Sequence, residues 1–372
     1  MGACVGLMVI GAAAVGAEYR VARTFRVAAE PACMPAITRA PNGDVLVAFS
    51  TQWEPFPQGG VLKLTASADQ GKTWSEPRVL WKDKDPRVTI QVANGLTTLK
   101  NGHIILPVTY CLCPRRDKVE PGEANPQKIY RWTGPGNRRE VWFFHSVDNG
   151  KTWRREDPKL PKPWWRFGRL VELDNGDLIL PGSAWFLRSR DGAKTWGPKE
   201  SLGTPFHSET NIAQMKDGSL ISILRQGGGL GPRRAMGTNR STDRGQTWDK
   251  WRWAGFKGKM PDLLVLPSGR ALIAVGAEGL SDGSEIFRIK RRRSFCTVFV
   301  SDDHGRTWQR DVALQPVAPD STVVPADSPV MVPLEQGRVL VVCQGIDRAK
   351  EGDPLVGYSA GMELIGNVIE PK

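Results

Sequence analysis

Histidine and cysteine, the side chains that most often bind transition metals, are scarce in this sequence. The chain has four histidines, at positions 103, 145, 207 and 304, and six cysteines among 372 residues. One residue separates Cys111 from Cys113, whereas zinc and redox motifs use Cys-x-x-Cys spacing. Six cysteines are also too few to form the disulfide scaffold of so long a chain. The sequence therefore predicts neither a metal site nor a cofactor.

Long hydrophobic runs are missing as well, except at the start of the chain. Residues 1–17 read MGACVGLMVIGAAAVGA and end in Val15-Gly16-Ala17, a small-residue pattern that signal peptidase accepts. This run is shorter than the roughly 20 residues that a transmembrane helix needs. We expect residues 1–17 to be a signal peptide and residues 18–372 to form one domain. The mature protein is then secreted or periplasmic, without stable membrane insertion.

Acidic residues are outnumbered by basic ones, 39 against 51, which gives a formal net charge of +12. Positive charge favours anionic partners such as acidic glycans, nucleic acids or membrane surfaces. The basic residues are nevertheless spread along the chain, and the one basic run, at 290–293, lies in no nucleic-acid-binding motif. We therefore expect no nucleic-acid partner.

Glycine, proline and tryptophan are abundant, with 40, 28 and 14 copies, and they indicate an all-β protein. Glycine and proline form the turns between short strands. Tryptophan recurs in a motif, Ser-x-Asp-x-Gly-x-Thr-Trp, whose third copy has its glycine one position early. The motif predicts a turn in which Asp caps the backbone, Gly adopts a positive φ and Trp packs between neighbouring units. The five copies are at 67–74, 146–153, 189–196, 241–248 and 301–308.

A second pattern occurs six times: two apolar runs separated by a polar residue and a glycine. Such pairs, Asn-Gly and Asp-Gly above all, are the strongest short-range sign of a β-hairpin. They lie at 42–43, 101–102, 175–176, 217–218, 268–269 and 336–337. One such hairpin and one Trp-bearing turn together make a four-stranded antiparallel blade. The last blade lacks the Trp-bearing turn. The sequence thus predicts an all-β, six-bladed β-propeller.

The Ser-x-Asp-x-Gly-x-Thr-Trp turns resemble the Asp-box (BNR) repeats of the sialidase (neuraminidase) superfamily, and the resemblance extends over the whole predicted domain. It implies a glycan as substrate or ligand, and a site at the channel mouth, where the innermost strand of each blade begins. Propellers with this repeat also serve as other exo-glycosidases, polysaccharide lyases and glycan-binding proteins. The activity must therefore be argued from the residues at the mouth.

Two residues of the fourth blade match the superfamily pattern, and two other positions depart from it. Glu209 precedes the inner strand and Arg225 ends the second strand. The resemblance implies that Glu209 polarises the nucleophile and that Arg225 is one of three arginines binding the substrate carboxylate, to which a guanidinium is suited. Cys33, however, occupies the position of the first clamp arginine, and Asp327 that of the tyrosine nucleophile. These changes predict a substrate other than ordinary sialic acid.

An exo-sialidase-like glycoside hydrolase is the first of three functions compatible with these residues. Hydrolysis needs two carboxyl groups, one as acid and one as nucleophile or base. We expect Glu209 to pair with Asp327 or Asp262 in this role and Arg225 to bind the substrate.

A polysaccharide lyase and a glycan-binding propeller without catalysis are the alternatives. A lyase would use Tyr110 or His207 as the base and Arg169 against the uronate carboxylate. In any of the three functions we expect the glycan to contact Arg225, Arg169, His207 and Tyr110. Trp53 would stack on a sugar face.

Overall fold

The computed structural model describes residues 18–51, 60–85, 88–92, 95–112, 138–161, 168–204, 209–226, 235–276, 295–347 and 363–372. These residues form six antiparallel sheets. They contain one 3-10 turn, Glu335–Gly337, and none of them belongs to a helix long and apolar enough to cross a bilayer. The expected signal peptide, residues 1–17, lies outside the described residues.

Each sheet is one blade, and its strands run in order from the axis to the rim. The innermost strand of blade 2 is divided into two segments that both pair with the same neighbour. In blades 1 to 3 the strands are β2 (Cys33–Arg39), β3 (Val45–Ser50), β4 (Val61–Ser67) and β5 (Arg78–Lys82); β6 (Val88–Gln91) with β7 (Thr97–Thr98), β8 (Ile104–Leu112), β9 (Arg138–Ser146) and β10 (Arg154–Glu156); and β11 (Val171–Glu172), β12 (Leu178–Pro181), β13 (Trp185–Ser189) and β14 (Glu200–Ser201).

Blades 4 and 5 repeat this order, whereas blade 6 combines strands from both ends of the chain. Their strands are β15 (Thr210–Gln214), β16 (Leu220–Arg225), β17 (Ala235–Ser241) and β18 (Arg252–Lys257); β19 (Lys259–Val265), β20 (Ala271–Gly276), β21 (Thr297–Ser301) and β22 (Gln309–Ala313); and β23 (Val323–Pro333), β24 (Val339–Asp347), β25 (Leu364–Pro371) and β1 (Tyr19–Ala28). Strand β1 takes the outermost place in blade 6 by pairing with β25. The N-terminal strand therefore closes the ring.

Six hydrophobic clusters fill the contacts between neighbouring blades. Blades 6 and 1, for example, share a cluster that includes Leu340 and Val47, and blades 5 and 6 share one that includes Leu272 and Val341. The other four clusters join the remaining neighbours in sequence. Six contacts for six blades close the ring, so burial of apolar surface between the blades holds it together. The predicted all-β, six-bladed propeller is confirmed.

The Trp-bearing turns have the expected hydrogen bonds. In the second copy, Asp148 accepts the backbone N–H of Thr152 at 2.9 Å and the hydroxyl of Thr152 at 2.5 Å. These bonds lower the pKa of Asp148 to about 2. The hydroxyl of Ser146 donates to the same carboxylate at 2.8 Å and accepts the N–H of Gly150 at 2.9 Å. The turn is thus closed by side chains that all belong to the motif.

The third copy has the same fold although its glycine is displaced. Ala193 occupies the position of the glycine and adopts a φ of 72°, while the glycines of the other four copies have φ between 79° and 89°. The N–H of Ala193 donates to the hydroxyl of Ser189 at 3.0 Å, as the glycine does elsewhere. A Cβ is therefore tolerated at this turn position, at some cost in strain.

Arginine side chains connect four of these turns to the preceding blade. Each guanidinium donates to a backbone carbonyl inside the turn, so the turns also contribute to contacts between blades. The donor and acceptor residues are Arg23 and Gly71, Arg78 and Gly150, Arg188 and Arg244, and Arg240 and His304.

Candidate functional site

Three innermost strands, those of blades 1, 5 and 6, carry the same backbone irregularity near the channel mouth. In each, a residue with positive φ precedes a proline, and the pairing with the second strand shifts at this point. Non-glycine residues with positive φ are uncommon, above all before proline. The recurrence indicates that the surrounding structure imposes this bulge. The segments are Cys33-Met34-Pro35, Lys259-Met260-Pro261 and Asp327-Ser328-Pro329, with φ of 50°, 48° and 48° at the central residue.

Two of these bulges bring oppositely charged side chains together. The ammonium of Lys259 forms an ion pair with Asp327, and their side chains are only 13% and 1% exposed. The other oxygen of Asp327, Oδ1, accepts the N–H of Ser328 at 2.8 Å. A Cβ added to Gly276 would lie 3.0 Å from the Cα of Asp327, so blade 5 also encloses this residue. The carboxylate of Asp327 is thus buried, and a lysine of a neighbouring blade compensates its charge.

The third bulge presents a thiol in the place of the expected arginine. Cys33 is 2% exposed, and its Sγ donates to the carbonyl of Ser50 at 3.3 Å. Burial, with a smaller contribution from the nearby negative charge of Asp327, raises the pKa of Cys33 to about 12. The thiol is therefore neutral and offers no positive charge to a substrate carboxylate.

Glu209 and Arg225 form a bidentate ion pair at the mouth end of blade 4. One guanidinium nitrogen donates to Oε1 of Glu209 at 2.7 Å, and the Nε of Arg225 contacts Oε2. The N–H of Arg225 also donates to the carbonyl of Glu209 at 3.1 Å, which fixes the two residues on neighbouring strands. Their side chains are 10% and 24% exposed. The fork geometry holds the guanidinium in one orientation.

Arg169 and Asp262 form a second buried pair, which connects three blades across the channel. Arg169 of blade 3 donates to Oδ2 of Asp262 in blade 5 at 2.8 Å, and to the carbonyl of Met331 in blade 6 at 2.7 Å. The N–H of Met331 donates to the same oxygen of Asp262 at 2.7 Å. Complete burial raises the pKa of Asp262, and the charge of Arg169 opposes that effect. Asp262 has no exposed surface in this structure.

Of the remaining predicted site residues, the structure describes Tyr110, which packs among aromatic rings between two blades. Tyr110 is 9% exposed, and its ring lies 4.4 Å from that of Trp142 and 6.2 Å from that of Trp81, within the cluster between blades 1 and 2. Trp53 and His207 lie outside the described residues. No group of three or more metal-ligating side chains occurs in the part of the chain that the structure describes.

A cavity of about 560 Å³ occupies the opposite end of the channel, near the hairpin turns. Inner strands of blades 2 to 5 line it, and Arg169 is part of its wall. The Arg169–Asp262 pair therefore adjoins this cavity, while Glu209 and Asp327 belong to the mouth.

Sequence reasoning missed Lys259 and its contact with Asp327. A signal was available, because Met34-Pro35, Met260-Pro261 and Ser328-Pro329 occupy equivalent positions in three blades. Comparison of these segments would have identified residues 33, 259 and 327 as equivalent.

Known proteins resemble this chain in sequence and in fold. The model of a family described as a BNR repeat-like domain matches residues 125–321. A sialidase from Bacteroides fragilis (strain YCH46) is 25% identical over 283 residues, which are 66% of this chain and 47% of that protein. This chain therefore spans about half the length of that relative.

Solved structures share the fold at low sequence identity. A protein of unknown function from Dyadobacter fermentans DSM 18053 aligns with a TM-score of 0.69 and 19% identity, over 95% of this chain and all of the other. The Hadza microbial sialidase Hz136 aligns with a TM-score of 0.64 and 16% identity, over 93% of this chain and 68% of its own. At these identities the similarity concerns the fold alone.

Proposed function

The chain belongs to the BNR repeat-like family of the sialidase superfamily, and on that premise we propose that it is an exported glycoside hydrolase whose substrate is a glycan other than ordinary sialic acid. One observation carries this proposal: Asp327, in the position of the superfamily's tyrosine nucleophile, is buried against Lys259. A phenol can approach an anionic sugar without repulsion, whereas a carboxylate cannot. A sugar without a carboxylate at the reacting carbon suits Asp327 better.

The neutral thiol of Cys33 supports the same substrate preference. The clamp of a sialidase needs positive charge at this position, and a thiol with a pKa of about 12 supplies none at neutral pH. Arg225, the matching clamp residue among those described, is oriented by Glu209. An arginine held in this way is suited to hydrogen-bonding sugar hydroxyls as well as carboxylates.

Two carboxyl groups at the mouth are available for hydrolysis. We assign Asp327 as nucleophile or base, because it occupies the position that the superfamily resemblance gives to the nucleophile. Glu209 is then the acid and base partner, with one of its oxygens bound to Arg225 at 2.7 Å.

The test is a panel of fluorogenic aryl glycosides, including a sialoside and neutral hexosides and pentosides, with the purified mature protein. We expect turnover of a neutral glycoside. Asp327→Asn and Glu209→Gln should each reduce kcat by at least about 100-fold, the usual contribution of acid–base or nucleophilic groups. The control is Asp320→Asn, an exposed site on a turn of the loop before β23, which should leave kcat unchanged. Turnover of the sialoside in preference to all other substrates would contradict the proposed specificity.

Glycan binding without catalysis is the second candidate, favoured because both mouth carboxylates already have cationic partners. Binding of a glycan on an array, with no product from any glycoside, would support it over hydrolysis. Unsaturated products that absorb in the ultraviolet would instead identify a lyase.

A further inference from the structure

The first described residue, Glu18, is held by blade 5 and by the C-terminal end of blade 6. Its backbone N–H donates to Oδ1 of Asp311 at 2.5 Å, and the next N–H, that of Tyr19, donates to Oδ2 at 3.1 Å. Asp311 lies on β22, the outermost strand of blade 5. The carbonyl of Glu18 accepts the N–H of Lys372 at 2.9 Å. The Asp311 carboxylate of blade 5 thus lies against the start of β1, the outermost strand of blade 6.

The side chains of Glu18 and Tyr19 make further contacts with blade 5. Glu18 forms an ion pair with Arg270, which also binds Asp302 with contacts of 2.7 and 3.0 Å. The guanidinium of Arg270 lies 5.9 Å from the centre of the Tyr19 ring. Tyr19 itself is buried in the cluster between blades 5 and 6. Position 18 is therefore fixed in place.

The leader pattern and the carboxylate of Asp311 point to the same peptide bond. Val15-Gly16-Ala17 fits signal peptidase, and cleavage after Ala17 would make the nitrogen of Glu18 the new N-terminus. That nitrogen, now a positively charged amine with three N–H groups, would already lie 2.5 Å from Oδ1 of Asp311. Charge-assisted hydrogen bonds are stronger than those of a neutral amide.

We propose that the chain is processed between Ala17 and Glu18, and that the α-ammonium so created forms an ion pair with Asp311 that fastens the closing strand β1 to blade 5. In the unprocessed chain the same position holds an uncharged amide. Removal of the leader therefore strengthens ring closure. The proposal does not depend on the glycan or on the reaction at the mouth.

The pair has a defined pH dependence. A free α-amino group has a pKa of about 7.7–8.0, and a neighbouring carboxylate raises it. The stabilisation is then complete below about pH 8 and is lost as the pH rises through the higher value of the folded state. Burial raises the pKa of the neighbouring Tyr19 hydroxyl, away from this range. The ionisable groups facing Glu18 are Asp311, Arg270, Asp302, Tyr19 and Lys372.

The first experiment identifies the N-terminus. The full chain is expressed in a bacterial host with an intact export pathway, recovered from the periplasm or medium, and analysed by N-terminal sequencing and intact mass. We expect Glu18 as the first residue. Another mature N-terminus, or retention of residues 1–17 by the exported protein, overturns the proposal.

The second experiment measures the coupling between the terminal charge and Asp311 with four proteins. Two begin at Glu18, with Asp311 or with Asp311→Asn, and two retain Gly16-Ala17 ahead of Glu18, again with Asp311 or with Asp311→Asn. At pH 7 we expect Asp311→Asn to lower the melting temperature roughly 1–2 °C more in the pair that begins at Glu18. The difference should vanish at about pH 10. Asp320→Asn, an exposed site of equal charge, should show no such coupling.

If Asp311→Asn lowers the melting temperature equally with and without Gly16-Ala17, the proposed ion pair is overturned. The backbone amide of Glu18 would then contribute as much as its α-ammonium. A coupling that persists at pH 10 also overturns it, because an uncharged amine cannot form it. Neither result bears on the proposed hydrolysis, which is tested by turnover alone.

Discussion

Replacing Lys259 by Met should leave the buried carboxylate of Asp327 without its cation. The side chain of Asp327 is 1% exposed, and its other described contact is the N–H of Ser328 at 2.8 Å. Loss of one partner from a buried ion pair costs about 3–5 kcal/mol, because the remaining charge stays desolvated. We expect Lys259→Met to lower the free energy of unfolding at pH 7 by that amount, measured by urea denaturation followed by tryptophan fluorescence.

The loss should come from the charge that remains on Asp327. The double variant Lys259→Met with Asp327→Asn should therefore recover most of the lost stability. Lys159→Met removes an exposed lysine from its contact with Asp157 and should have no measurable effect. A double variant no more stable than Lys259→Met alone would refute the assignment of Asp327 as the uncompensated charge.

Three further predictions concern the Trp-bearing turns. Gly150→Ala places a Cβ 2.6 Å from the side chain of Leu46, at a residue with a φ of 80°. Gly176 has a similar φ of 86° but open space around it, so Gly150→Ala should destabilise the protein by about 1–3 kcal/mol more than Gly176→Ala. Equal melting temperatures of the two variants would contradict the contact with Leu46. Ala193→Gly removes a Cβ from a residue with a φ of 72°, where a side chain strains the backbone, and should stabilise the third turn by less than about 1 kcal/mol in urea denaturation. Destabilisation by this substitution would show that Ala193 is not strained. Hydrogen bonds from Thr247 lower the pKa of Asp243 to about 2. The stability that this carboxylate gives the fold should therefore be complete above about pH 4 and be lost as the pH falls towards 2. Asp243→Asn should flatten that part of an acid-unfolding curve, and an unchanged curve would contradict this contribution of Asp243.

The architecture could be predicted because its signals are local and repeated. Each Trp-bearing turn closes with hydrogen bonds among residues four or fewer positions apart, such as those that Thr152 donates to Asp148. The Asn-Gly and Asp-Gly pairs fix the hairpins within a few residues. Six copies of such a unit can bury their faces only against one another, so the ring follows from the repeat.

Ring closure could not be predicted in the same way. The last blade lacks the second turn, and the sequence does not say which segment supplies its outer strand. Strand β1 pairs with β25, with Tyr19 opposite Pro371 at the far end of the chain. A contact over so long a separation leaves no local pattern, and it depends on the completed ring.

The candidate site was predicted in part for a related reason. Glu209 and Arg225 lie at the mouth end of one blade, and their resemblance to the superfamily pattern singled them out. Lys259 and Asp327 come from different blades, and a β-bulge on each strand directs them towards each other. Alternation along a strand predicts which face a side chain occupies, and a bulge changes that face at one point. The place of Asp262 at the start of an inner strand suggested access to the channel, whereas its carboxylate lies against Arg169 and Met331.

The two ends of the propeller are therefore stabilised in different ways, and this bears on how its chemistry can vary. The turn end is fixed by repeated local motifs that are independent of the channel. The mouth is fixed by single pairs, Lys259 with Asp327 between blades and Glu209 with Arg225 within one. A change at the mouth alters one pair and leaves the six hydrophobic clusters intact. This separation explains how the fold can persist with Cys33 and Asp327 at the positions that the superfamily resemblance gives to an arginine and a tyrosine, and it places the search for the substrate in the residues around Asp327.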